Sequence, residues 1–221
     1  MKIKVCGITT FEDAAFLVEQ GVDYLGFIFH KASTSYLSPE QCRLIISLLR
    51  ERYSSDQLPV MVGVFLDLPI EQAQDIINTS GLGMAQIHGN ESIEYAKDLV
   101  VPILKVIRVS PTQTTATVPF FKQQMARWKT ALPECLFLLD TYKKEMAGAG
   151  GTGEVFNWEI AAALAGEFAF FLSGGLSPVN IQQAVEAVHP FGVDVKSGLE
   201  SAPGKKDFEK VRAFFEVVNG S

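Results

Sequence analysis

The chain is poor in the residues that build metal centres and cross-links: its 221 residues include three cysteines and three histidines. The cysteines stand at positions 6, 42 and 135, an odd set without a CxxC spacing. That argues against a disulfide framework and for a reducing, cytoplasmic setting. No two histidines are spaced as zinc ligands, so no metal site is expected. No apolar run approaches the ~18 residues of a membrane span. Met1 to Gly7 passes straight into a strand-like run, where a secretory signal would show a basic region, an apolar core and a cleavage site. Lys and Arg number 19 against 25 Asp and Glu, a formal net charge of −6, and the basic residues are scattered. Such a distribution offers neither a nucleic-acid footprint nor a polybasic membrane patch, so neither partner is expected.

What is present is core material and a repeated unit. The composition is 48% hydrophobic and 20% charged with no low-complexity stretch, which suits one globular domain over residues 1–221. The last third is the most informative. Two apolar runs, Phe168 to Leu172 and Phe191 to Val195, each end in a glycine-bearing turn, Ser173-Gly174-Gly175 and Ser197-Gly198. Between them Ser177-Pro178 reads as a helix start ahead of an apolar stripe at Ile181, Ala184, Val185 and Val188. Glycines at the ends of adjacent parallel strands let the backbone approach a ligand closely, and N–H groups there suit an anion. A phosphate is the expected occupant.

The same strand-then-helix unit recurs from the start. Ile3 to Val5 precedes a helix capped by Thr9 or Thr10, and Tyr24 to Phe29 precedes one opened by Ser38-Pro39. Val60 to Phe65 is followed by Asp67-Leu68-Pro69 as the next helix start. Met84 to Ile87, Ile103 to Ile107 and Leu136 to Leu139 supply strands four to six, and a helix is expected over Val155 to Leu164. Eight such units of ~25 residues make an α/β fold, a single-domain (β/α)8 TIM barrel, the leading architecture. A doubly wound open sheet is the alternative, but Cys6-Gly7-Ile8-Thr9 lacks the GxGxxG fingerprint of its first turn.

In a barrel of this kind function sits at the C-terminal ends of the strands. Cys6 closes the first strand and Asp140 the sixth, an acid/base pair that barrel closure brings across the mouth. Lys4 shares a strand face with Cys6 at ~6–7 Å by strand rise and would favour its thiolate. A carboxyl at the edge of a half-buried pocket gains a raised pKa and becomes a general acid. His88 is a second acid/base candidate or a hydrogen-bonded structural histidine, and Arg108 is a cation at a strand end. The glycine-rich segment Gly148 to Gly153 reads as a cover over the site.

These residues carry a resemblance. Lys4-Val5-Cys6-Gly7-Ile8-Thr9, Gly26-Phe27-Ile28-Phe29, Val62-Gly63-Val64-Phe65, Gln86-Ile87-His88-Gly89-Asn90-Glu91, Leu138-Leu139-Asp140, Gly150-Gly151-Thr152-Gly153 with Phe156-Asn157-Trp158, Leu172-Ser173-Gly174-Gly175-Leu176 and Val193-Asp194-Val195 through Gly198-Leu199-Glu200 together resemble the phosphoribosylanthranilate isomerases of tryptophan biosynthesis along the whole chain. The resemblance implies an Amadori rearrangement of N-(5-phosphoribosyl)anthranilate without cofactor or metal. It implies Asp140 as general acid, Cys6 as general base, and Gly174, Gly175, Ser197 and Gly198 around the substrate phosphate. Two positions depart from the family. Ser35, in Ser33-Thr34-Ser35-Tyr36, stands where an arginine usually holds the anthranilate carboxylate. Lys196 stands where serine is usual, and either strengthens phosphate binding or reaches inward to replace the missing cation. The first departure leaves open an alternative, a barrel that isomerises or binds another phosphorylated sugar amine. A monomer or homodimer is expected.

Overall fold

The computed structural model describes residues 1–141 and 156–220. Eight parallel strands run in chain order around a closed barrel: β1 (Lys2–Cys6), β2 (Tyr24–Ile28), β3 (Val60–Phe65), β4 (Met84–Ile87), β5 (Ile103–Val109), β6 (Leu136–Thr141), β7 (Phe170–Leu172) and β8 (Gly192–Val195). Closure comes from β1 pairing with β8 in the register Lys2 to Gly192, Ile3 to Val193, Lys4 to Asp194 and Val5 to Val195. The strands read as near-continuous apolar runs because both faces are covered.

The helices form the outer ring. They are α1 (Phe11–Glu19), α2 (Pro39–Arg52), α3 (Ile70–Ser80), α4 (Ile93–Asp98), α5 (Val118–Ala131), α6 (Trp158–Ala165), α7 (Ile181–Val188) and α8 (Phe208–Asn219). Short polar residues set several of their starts: Thr10 accepts from Asp13 N–H, Ser38 and Gln41 make a reciprocal capping box, and Ser92 and Asp207 cap α4 and α8. No described helix is long and apolar enough to cross a membrane.

Several boundaries differ from the sequence expectation for identifiable reasons. Ser177-Pro178 does not open α7. Ser177 N–H donates to Asn180 Oδ1 and Asn180 donates to Gly175 O, so these residues brace the glycine turn and the helix begins three residues later. Asp67 does not cap α3, because its φ is 49° and its Oδ1 accepts from Asn90 N–H at 2.6 Å. The last two barrel strands are shorter than their apolar runs, and α6 starts at Trp158. Residues 148–153 lie outside the described residues. After β8 come a single 3-10 turn, Ser197–Leu199, and a hairpin of β9 (Glu200–Ala202) and β10 (Lys205–Lys206), none of which periodicity revealed.

Alternation along the strands sorts the side chains into two cores. Ile3, Val5, Leu25, Phe27, Leu139 and Val193 face outward onto the helices. Inside, Val62, Met84, Leu104, Val106, Leu138 and Phe171 fill the barrel, while Cys6, Ile28 and Val64 form a separate small cluster at the C-terminal end. Lys4 and Asp194 also point inward and form a buried ion pair of 2.8 Å. An ammonium and a carboxylate taken out of water are tolerable together and costly apart. Lys4→Met should therefore lower stability by about 3–5 kcal/mol in urea unfolding at pH 7, and adding Asp194→Leu should recover most of the loss.

Candidate active site

The C-terminal ends of the strands bring the expected residues into one mouth. Cys6 ends β1 and Asp140 lies at the end of β6, with β7 and β8 between them on the shorter arc of the barrel. Cys6 is buried, and the Asp140 side chain keeps 25% of its surface exposed. Gly26 of β2 makes room for the first of these: a Cβ there would lie 2.8 Å from Cys6 Sγ and 3.1 Å from Lys4 Nζ. The thiol and the ammonium thus converge on the space that a missing side chain leaves.

Burial dominates the electrostatics here. It pushes the Cys6 thiol above its ordinary pKa; Lys4 pulls the other way, Asp194 adds to the rise, and Lys196 and Lys206 oppose it. Lys4 does favour the thiolate, as its place on the strand suggests, but desolvation is larger and the thiol stays above its ordinary range. Lys4 itself stays charged, because Asp194 and Cys6 outweigh the burial that would lower its pKa. Asp140 is raised to about 7, first by burial and then by the charge of Asp194, against the Thr141 N–H, Arg108 and Lys4. Near neutral pH it is therefore a carboxylic acid in a large fraction of molecules, with a proton to give.

His88, just beyond β4, is pushed down to about 3 by burial, with Arg108, Lys4, Lys105 and His30 adding to the effect. It is a neutral imidazole. Its Nδ1 faces the Gln86 Nε2 donor at 3.2 Å, which places the ring proton on Nε2. Nε2 lies 3.6 Å from Asp140 Oδ2, outside hydrogen-bond distance, so the neutral imidazole faces the carboxyl with its N–H without bonding it in this arrangement. Arg108, whose Cα pairs with Asp140 across the β5–β6 ladder, donates to the His88 carbonyl.

The glycine turns form the other side of the mouth. Gly174 and Gly175 have φ of 89° and 70°, which L side chains rarely adopt. A Cβ on Gly198 would sit 2.0 Å from the Leu176 carbonyl oxygen, so the turns after β7 and β8 touch backbone to backbone. Among the described residues, the N–H groups of Gly174, Gly175, Ser197 and Gly198 have no hydrogen-bond acceptor. Four donors without acceptors in two adjoining turns make a cradle for an anion with several oxygens.

Ser35 and Lys196 both approach Gly7, on the flank where β1 adjoins β8. Ser35 is fully buried and its Oγ lacks a hydrogen-bond partner. A Cβ on Gly7 would lie 2.8 Å from Lys196 Cε, 3.2 Å from its Cγ and 3.2 Å from Ser35 Oγ. The lysine stem therefore runs over Gly7 beside Ser35, from the end of β8 across β1 toward the loop after β2.

Two residues beside Cys6 escaped the sequence reading. Asp194 holds Lys4, and its other oxygen accepts from Ser173 Oγ at 3.3 Å. A lone carboxylate inside an apolar strand was the available signal. Lys206 of β10 is buried and donates to the Cys6 carbonyl at 2.7 Å and to the Lys196 carbonyl at 3.3 Å, with Glu200 Oε1 also at 3.3 Å. It clamps the ends of β1 and β8 together, and no local pattern marks it.

An acid near its working pKa, a buried thiol and an amide cradle in one barrel mouth define the class, a (β/α)8 protein suited to proton transfer on a small phosphorylated molecule. The chain belongs to the N-(5'-phosphoribosyl)anthranilate (PRA) isomerase family, whose model matches residues 3–217. The N-(5'-phosphoribosyl)anthranilate isomerase of Geobacter sp. (strain M21) is 41% identical over 213 residues, covering 96% of this chain and 95% of that protein. The crystal structure of phosphoribosyl anthranilate isomerase from Thermotoga maritima superposes with a TM-score of 0.83 at 34% identity, over the full length of both chains. A PRA isomerase solved in complex with reduced 1-(o-carboxyphenylamino)-1-deoxyribulose 5-phosphate gives 0.79 at 32% identity, again over both full chains.

The backbone contact at Gly198 has a measurable consequence. Gly198→Ala must push the turn off Leu176, and inorganic phosphate binding measured by calorimetry should weaken by at least about tenfold with the circular dichroism unchanged.

Proposed function

We propose that this protein is a phosphoribosylanthranilate isomerase that converts N-(5-phosphoribosyl)anthranilate to 1-(2-carboxyphenylamino)-1-deoxyribulose 5-phosphate. The observation that carries the reading is the raised Asp140 carboxyl, at about 7, in the mouth of a chain that matches this family end to end. Similarity over nearly the whole chain, at 41% and 38% identity, to proteins bearing this name favours this substrate over another phosphorylated sugar amine.

The chemistry follows from the groups at hand. The substrate phosphate binds the N–H groups of Gly174, Gly175, Ser197 and Gly198, which fixes the sugar over the mouth. Asp140 gives its proton to the ribose ring oxygen, the C1–O bond breaks, and the nitrogen lone pair closes a C=N bond. The resulting iminium acidifies the C2 hydrogen, which Cys6 removes as thiolate. The enolamine takes a proton at C1 and loses the C2 hydroxyl proton to become the ketone. C1 is reduced as C2 is oxidised within the same substrate, and the proton that Asp140 gives is matched by the one that Cys6 takes, so the reaction balances without a redox partner. The neutral His88 N–H steadies the Asp140 carboxylate once its proton has gone. The three free, buried cysteines agree with a reducing, cytoplasmic setting.

The assay is direct: purified protein with the anthranilate substrate should give an isomer of unchanged mass with a new C1 methylene by NMR. Cys6→Ala and Asp140→Asn should each lower kcat by ~10²–10⁴-fold. Unchanged turnover in either variant removes that residue from the mechanism. The pH dependence carries a sign. The productive form has Asp140 protonated and Cys6 deprotonated, the minor of the two singly protonated arrangements when the thiol has the higher pKa. Its population rises as pH climbs through about 7, stays level, and falls once the thiol also titrates. The kcat/KM profile should be a bell with its lower limb near pH 7 and its upper limb above the ordinary thiol range.

A further inference from the structure

The substrate proposed above carries a second anion, the carboxylate of its aromatic ring, and the phosphate cradle cannot serve both. The cations near Cys6 are Lys4, Lys196 and Lys206. Lys4 is spent on Asp194 and Lys206 on Glu200 and two carbonyls. Arg108 donates to the His88 carbonyl. Among the described residues, Lys196 has no carboxylate partner.

The direction of its side chain matters as much as its charge. Lys196 immediately precedes the turn whose amides form part of the anion cradle, and its stem runs over Gly7 at the end of β1, where the Ser35 hydroxyl also approaches. The space exists because both positions are small. A glycine at 7 with φ of 74° leaves a bed for the methylenes, and a serine at 35 leaves the flank open. Beside the lysine stem lies the Ser35 hydroxyl, wholly buried and without a partner. A hydroxyl and an ammonium, neither matched by an acceptor or a carboxylate, mark a place prepared for a ligand group.

We propose that Lys196 is the specificity residue for the aromatic carboxylate, its ammonium carried over Gly7 to the β1–β2 side of the mouth, next to the turns that hold the phosphate. This rests on the isomerase reading. In that role Lys196 supplies from the last strand the cation that the loop after β2 lacks in Ser35. A lysine offers a point charge and not a bidentate fork, so the contact is a single charge-assisted hydrogen bond.

The test compares two ligands that differ only in the carboxylate: the reduced product analogue made from anthranilate and the same compound made from aniline. Lys196→Met should raise Kd for the first, and KM for the anthranilate substrate, by ~30- to 100-fold. The aniline compound and inorganic phosphate should bind the variant as they bind the wild type. Lys196→Arg should stay within a few-fold of wild type. Ser35→Arg should add little alone, since it competes for the same bed, but should restore at least about tenfold in the Lys196→Met background. Equal losses for both ligands, or no loss for either, overturn the proposal while the wild type still turns over its substrate. A wild type that fails to turn over the anthranilate substrate overturns the isomerase reading itself, and this proposal with it.

Discussion

The ion pair between Lys4 and Asp194 is the constraint on which the rest of the mouth depends. It spans the seam where the first and last strands join, and it is sealed from water between the apolar fill of the barrel and the cluster of Cys6, Ile28 and Val64. Charges in such a place act over distance with little screening. Cys6 feels the ammonium, Asp140 feels the carboxylate, and Ser173 is held to the same carboxylate. One pair thereby bears on Asp140, Cys6 and the start of the anion cradle at once, on top of the larger shifts that burial gives the first two.

A single physical cause, loss of water, tunes three groups of different chemistry. It lifts the Asp140 carboxyl to about 7, lifts the Cys6 thiol, and drops the His88 imidazole to about 3. All three moves favour the uncharged form, as desolvation must. The outcome is a mouth whose thiol and imidazole are neutral near pH 7 and whose carboxyl is poised between its two forms, set among lysines and the Asp194 carboxylate. A neutral acid and a neutral imidazole beside a bound phosphate avoid the cost of stacking further charge into the pocket.

Much of this was legible in the chain. The eight strands showed because each is a short apolar run, and the positions where those runs stop are where Cys6, Asp140, Gly174 and Gly198 stand. Lys4 was visible as the inward neighbour of Cys6, though not the balance that burial strikes against it. What stayed hidden is contact between parts distant in sequence. Asp194 gains meaning only once β8 is laid beside β1, and Lys206 only once a hairpin folds it back to the Cys6 carbonyl. The side-chain path of Lys196 depends on Gly7 and Ser35, which lie far from it along the chain. Ser177-Pro178 misled because a cap-forming pair can brace a turn as well as start a helix.

The hairpin after β8 has one more implication. Because Lys206 ties down the strand that ends in Cys6, and β1 has no second neighbour until β8 arrives, β1 is among the last elements to find its final surroundings. An emerging chain can assemble its central strands and helices one after another, but competence arrives in a single late event when tail meets head. Fragments that stop short of the hairpin would hold the glycine turns and still lack the Lys206 grip on the end of β1, so the two sides of the mouth are joined only when the hairpin folds back.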